Sequence, residues 1–187
     1  DRQQYLLLNQ DLKAQSYRPV YLLYGEESYL KTSYKKSFRE AFGGKDSMNY
    51  SYFEGNVELD ELLSVLETLP FLAEGRLVIL EDSGFCRHSA PERLCAYLPR
   101  MPKSSHLMLI EKEVDKRNRL YKLLDQGGLC CELAEQDERA LSAWAARILK
   151  KEGKRIRPAA MALLLERTGK SMEHILTELQ KLSAYLG

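Results

Sequence analysis

Gly25, Lys31 and Thr32 are spaced as the first and the last two residues of a phosphate-binding loop, G-x-x-x-x-G-K-[ST]. Such a loop wraps phosphates with backbone N–H groups, and its lysine reaches the outer phosphates. The second glycine of the pattern lets the backbone approach the anion, because it carries no Cβ. Leu30 stands in that place here, and Glu26 and Glu27 add two carboxylates to the same short segment. A carboxylate close to a phosphate is repelled by about 1 kcal/mol even in high dielectric. The stretch "YGEESYLKTSYKK" thus has the outline of a nucleotide site without its fit. An ordinary strand-to-helix turn that matches by chance accounts for the same residues.

A phosphate-hydrolysing site also needs an acid at the end of a buried strand, to hold magnesium or orient water. "RLVILED" offers Glu81 and Asp82 after a run of apolar residues. A strand that leaves the core through charged residues has the same appearance. Asp115, Lys116 and Arg117 cluster at an expected helix start, where the aspartate would cap the positive end of the helix. No G-x-S-x-G nucleophile motif is present. The cysteines, Cys86, Cys95, Cys130 and Cys131, form no C-x-x-C pair, and His88, His106 and His174 stand apart from them. No metal site follows from that spacing. Buried, reduced thiols in a cytoplasmic protein are expected instead.

"TLPFLAEGR" raises a different question. A leucine-rich helix should stop near Leu69 and Pro70, and a buried strand should begin near Leu77. Phe71 and Leu72 lie side by side on the short connection, where both cannot easily face the core. They form either a hinge tucked under a sheet or a pair of apolar anchors for a partner's pocket.

The chain has 187 residues and a formal net charge of +1, so no basic surface of the kind that gives strong direct binding to nucleic acid is implied. It contains no apolar run of membrane-spanning length. It opens at Asp1 rather than at a methionine, which leaves room for upstream residues.

The elements that must position these residues alternate. After an amphipathic helix in "QQYLLLNQDLKAQ", short apolar strands are expected at 19–25, 50–55, 76–82, 105–111 and 129–133. Helical spacing fills 27–42, 57–69, 90–98 and 115–128. In "LCCEL" the two cysteines should point to opposite faces of a strand. The alternation predicts a parallel α/β sheet covered by helices on both faces. Beyond about residue 135 three helices follow with no strand, so a boundary is expected near 134–137.

"VYLLYGEESYLK", "TLPFLAEGRLVIL", "DKRNRLYKLL" and the closing "HILTELQKLSAYLG" stand in the order and spacing of one family's pattern. Over essentially its whole length the chain resembles the delta subunit of the bacterial DNA polymerase III clamp loader. The resemblance implies an AAA+-like fold: a RecA-type α/β domain over residues 1–135, then a helical lid over 136–187. It also implies a helical collar domain after Gly187, which this sequence does not contain. It implies a subunit without ATPase activity, cofactor or metal, in which Gly25, Leu30, Lys31 and Thr32 are a degenerate phosphate loop.

In that family the subunit binds the ring-shaped sliding clamp and helps open it for loading on primed DNA during replication. The residues that match the clamp-binding positions are Leu69, Phe71 and Leu72. The implied partners are the clamp, other loader subunits (mainly through the collar) and, indirectly, primed DNA; no membrane is involved. Two other classes stand beside this expectation: a P-loop ATPase or nucleotide kinase with a degenerate loop, and a structural subunit of another AAA+ assembly.

Overall fold

Strands β1 (Val20–Tyr24), β2 (Tyr50–Glu54), β3 (Arg76–Glu81), β4 (Ser105–Glu111) and β5 (Leu129–Glu132) form one sheet. Its order is β2-β3-β4-β1-β5, and every neighbouring pair is parallel. This is a computed structural model, and it describes residues 2–186. Helix α1 (Arg2–Ala14) precedes the first strand, and α2 (Ser28–Ala41), α3 (Leu59–Glu67), α4 (Glu92–Tyr97) and α5 (Arg119–Gly127) lie between successive strands. They divide between the two faces of the sheet. Strands β1, β3 and β4 are central, so both of their faces are covered and they read as unbroken apolar runs. Strand β2 is an edge strand, and its partial exposure explains its weak alternation in sequence.

One core layer joins Leu22, Val78, Leu80, Leu107 and Leu109 to Leu62 and Leu66 of α3, Leu94 of α4 and Leu120 and Leu124 of α5. The other joins Tyr21, Leu23, Ile79, Met108 and Ile110 to Leu8 of α1 and Phe38 of α2. Cys130 lies in the first layer and Cys131 in the second, as strand alternation requires.

The helix expected over 115–128 begins later, at Arg119. Its N-cap is Asn118, whose side-chain oxygen accepts from the N–H groups of Leu120 at 2.8 Å and Tyr121 at 3.2 Å. Asp115 does not cap it. Its carboxylate accepts from the backbone and side chain of Arg117 within a turn ahead of the helix. The leucine-rich helix is also shorter than its sequence pattern and ends at Glu67.

The chain divides into two compact units, one ending at Ala134 and one beginning at Glu135. The second holds α6 (Glu138–Lys151), α7 (Pro158–Thr168) and α8 (Met172–Leu186). Asp137 caps α6 by accepting from Ala140 N–H at 2.7 Å. Gly169, at φ +62°, closes α7 in the left-handed conformation that glycine adopts without strain. Leu141, Ala145, Leu164, Leu165, Ile175 and Leu179 form the buried centre of this three-helix unit. Among the described residues no helix is long and apolar enough to cross a membrane.

Candidate functional site

In a parallel sheet all strands end at the same edge, and two candidate regions fall at opposite edges. Gly25, Glu81 and Glu111 follow or end strands, so they sit at the C-terminal edge. The connection between α3 and β3, residues 68–75, sits at the N-terminal edge. About 3.3 Å per strand residue puts roughly 20 Å between them.

At the C-terminal edge the segment between β1 and α2 is only three residues long, Gly25, Glu26 and Glu27. Helix α2 has already begun at Ser28, so Leu30, Lys31 and Thr32 all lie in its opening turns. The Glu27 carboxylate accepts from Tyr29 N–H at 3.1 Å and occupies the helix N-terminus, where a phosphate would otherwise dock. Leu30 turns inward and packs against the core layer beneath α2. Lys31 is partly buried and Thr32 is exposed.

The strand-end acids are engaged within the protein. Glu81 pairs with Lys35 of α2 at 2.8 Å and accepts from the Tyr52 hydroxyl at 2.6 Å. The Lys35 ammonium lies 5.3 Å from the centre of the Tyr52 ring. Asp82 is exposed. Glu111, at the end of β4, is buried and accepts from Ser83 Oγ at 2.6 Å and Gly84 N–H at 3.3 Å. Its burial pushes the carboxyl above the usual carboxylate range, against the opposing pull of those hydrogen bonds. No group of three or more His, Cys, Asp or Glu able to hold a metal occurs among the described residues.

At the N-terminal edge the α3–β3 connection is irregular in shape but firmly anchored. Ser105 Oγ donates to Leu66 O at 2.5 Å, and Arg76 Nε donates to Thr68 O at 3.1 Å. These buried donors hold carbonyls that the end of α3 leaves free. Asn49 holds Phe71 at both of its peptide groups, donating to Phe71 O at 2.8 Å and accepting from Phe71 N–H at 2.6 Å. A Cβ on Gly75 would come within 3.2 Å of both the His106 and the Phe42 rings, so the chain passes tightly there.

From this anchored frame three apolar side chains stand in water: Leu69 is 71% exposed, Phe71 54% and Leu72 91%. Leu72 also has φ +49°, a conformation that costs a leucine about 1–2 kcal/mol. The sequence picked out these side chains by type and place. It did not pick out Asn49, Arg76 or Ser105, which fix the backbone that carries them. The available signal for Asn49 was a polar residue at the point where a loop becomes a strand, which is too common to be informative.

A family model described as "DNA polymerase III, delta subunit" matches residues 21–134. The chain is 25% identical over 189 residues to the DNA polymerase III subunit delta of Bacillus subtilis (strain 168), covering 94% of this chain and 54% of that protein. It superposes on the solved structure of the Bacillus subtilis DNA clamp loader delta protein (YqeN) with a TM-score of 0.78 at 25% identity, over 97% of this chain and 57% of that one. The Holliday junction branch migration motor RuvB of Thermotoga maritima matches with a TM-score of 0.58 at 14% identity, over 96% of this chain and 59% of that one. This more distant likeness shows the fold alone, that of the RecA and AAA+-like proteins. The chain spans about half the length of the curated relative it matches.

Proposed function

Because the chain belongs to the DNA polymerase III delta subunit family, we propose that its α3–β3 connection binds the sliding clamp and helps to open it for loading on primed DNA. The observation that carries this reading is the joint exposure of Leu69, Phe71 and Leu72 on a connection whose backbone is held by buried polar side chains. Fully burying a phenylalanine and a leucine contributes about 1.5–3 kcal/mol each. Pocket anchors of this kind dominate many interfaces. The left-handed backbone at Leu72 carries a cost, and the 91% exposed side chain gains little packing in exchange, which fits a side chain held out for a partner.

Opening a closed ring requires tighter binding to its open form than to its closed form. In this proposal Phe71 and Leu72 anchor the subunit, and the differential contact comes from surface around them. Other loader subunits are proposed as the second set of partners. The subunit is proposed to act without hydrolysing nucleotide. The Glu27 carboxylate at the α2 N-terminus and the inward turn of Leu30 support that reading, and they weigh against a nucleotide kinase.

The test is a titration of the chain against the sliding clamp of its own replication system, with Phe71→Ala/Leu72→Ala as the comparison. The double variant should lose at least about 2 kcal/mol of binding. Its thermal stability should fall by much less than the roughly 2–5 kcal/mol of a core truncation. Wild-type affinity in the folded double variant would place the clamp contact elsewhere. An absence of clamp binding by the unmodified chain would favour a structural role in another assembly.

A further inference from the structure

We infer that Asn49 is the positioning residue of the clamp-binding tip, holding both feet of an arch that presents Leu72. This inference rests on the reading of residues 69–72 as the clamp contact. Asn49 is 9% exposed, and it holds the connection at two places. Its side chain makes both hydrogen bonds to the peptide groups of Phe71. Its own carbonyl accepts from Leu77 N–H at 2.9 Å, at the start of β3. Phe71 and Leu77 are therefore tied to one residue; between them residues 72–74 are exposed, and Gly75 and the buried Arg76 lead the chain back into β3. The Asn49 N–H is in turn held by Ser47 Oγ at 3.0 Å, so the post itself is braced.

The chemistry of the side chain suits this task. An amide carries a donor and an acceptor in one plane, so it can pair with both the N–H and the C=O of one residue, as a neighbouring strand would. Asp offers no donor at neutral pH, and Ser, with one short hydroxyl, cannot span both groups. Without this pairing, the peptide groups of Phe71 would have to find water, and the arch would sample many shapes. A tip already ordered before contact avoids the ordering cost that weakens association. Asn49 thus acts on the clamp through Phe71 and Leu72, and it need not touch the clamp itself.

The experiment is a double-mutant cycle on clamp affinity, with amide hydrogen exchange at Phe71 as the structural readout. Asn49→Ala should weaken clamp binding about tenfold and speed exchange of the Phe71 amide, while core strands β1 and β4 keep their protection. In a Leu72→Ala background the same change should weaken binding distinctly less than tenfold, because the arch then has less to present. Asn49→Asp serves as the second variant if the alanine variant does not fold. It keeps the acceptor for Phe71 N–H but loses the donor to Phe71 O, and it should weaken binding in the same direction. Faster Phe71 exchange with wild-type affinity would overturn the inference while leaving the clamp reading intact. An equal loss in both backgrounds would also overturn it, since Asn49 would then act by some other route. Wild-type affinity in Phe71→Ala/Leu72→Ala would instead overturn the clamp reading, whatever Asn49 does.

Discussion

Gly25 lies directly against the backbone of Leu133: a Cβ built on it would meet the Leu133 carbonyl oxygen at 2.5 Å. Its φ of +123° is one that L side chains rarely adopt. The neighbouring backbone is locked as well, with Gly25 N–H on Lys112 O at 3.1 Å and Glu27 N–H on Leu133 O at 3.0 Å. The glycine that begins the phosphate-loop pattern is thus required by packing between the end of β1 and the end of β5. Gly25→Ala should lower stability by about 1–3 kcal/mol, the scale of a strained backbone position. A urea midpoint equal to that of the unmodified protein would count against this account.

Nucleotide binding should be absent. Glu27 already satisfies an N–H at the α2 N-terminus, and Leu30, partly buried, packs against the core. Calorimetric titration with ATP and magnesium should give no saturable binding, and Lys31→Ala should change nothing. Micromolar affinity that vanishes in Lys31→Ala would show that the loop works after all.

The buried Glu111 should leave a pH signature. Desolvation raises its folded pKa, whereas the unfolded chain has an ordinary carboxyl at about 4.3. A raised pKa favours the protonated group in the folded state. Its contribution to stability is therefore fully present below the unfolded value and is lost as pH rises through the folded value. The stability of the protein relative to Glu111→Gln should fall as pH rises from about 4.3 toward neutrality. Unfolding curves of both forms across that range give the answer, and a flat difference would be the contrary result.

The thiols should be inert in the folded state. All four cysteines are buried and free. Burial pushes the thiols of Cys130 and Cys131 up to about 12 and raises those of Cys86 and Cys95 as well. The thiolate is the reactive form, so a thiol reagent at pH 8 should label the protein only slowly. Labelling should become fast and complete in urea. Rapid native labelling of any cysteine would reveal an opening that its packing does not predict.

What the sequence disclosed and what it withheld follow from the range of the forces involved. Strands β1, β3 and β4 are legible because both faces are covered, so the residues between the polar strand ends form apolar runs. Phe71 and Leu72 are legible because two large apolar residues on a short connection have nowhere easy to go. Asn49 is not, since its partner Phe71 lies 22 residues away and only the folded sheet brings the two together. The cap of α5 shows a finer limit. Asp115 and Asn118 both have capping side chains. Only asparagine can also donate, and here it does so to Phe85 O at 3.0 Å and His88 O at 2.7 Å. Those carbonyls belong to a preceding loop whose path local spacing does not reveal.

The strand order has a consequence for how the chain comes into being. Both neighbours of β1, namely β4 and β5, lie far downstream, with Val20 paired to Leu107 and Tyr21 to Leu129. At about 5–20 residues per second of synthesis, roughly 4–17 s separate Val20 from the residue that will pair with it. Throughout that interval the apolar segment "VYLLY" lacks both of its native strand partners. The centre of the finished sheet is thus the most vulnerable segment at birth, prone to wrong pairing and in need of shielding until β4 emerges.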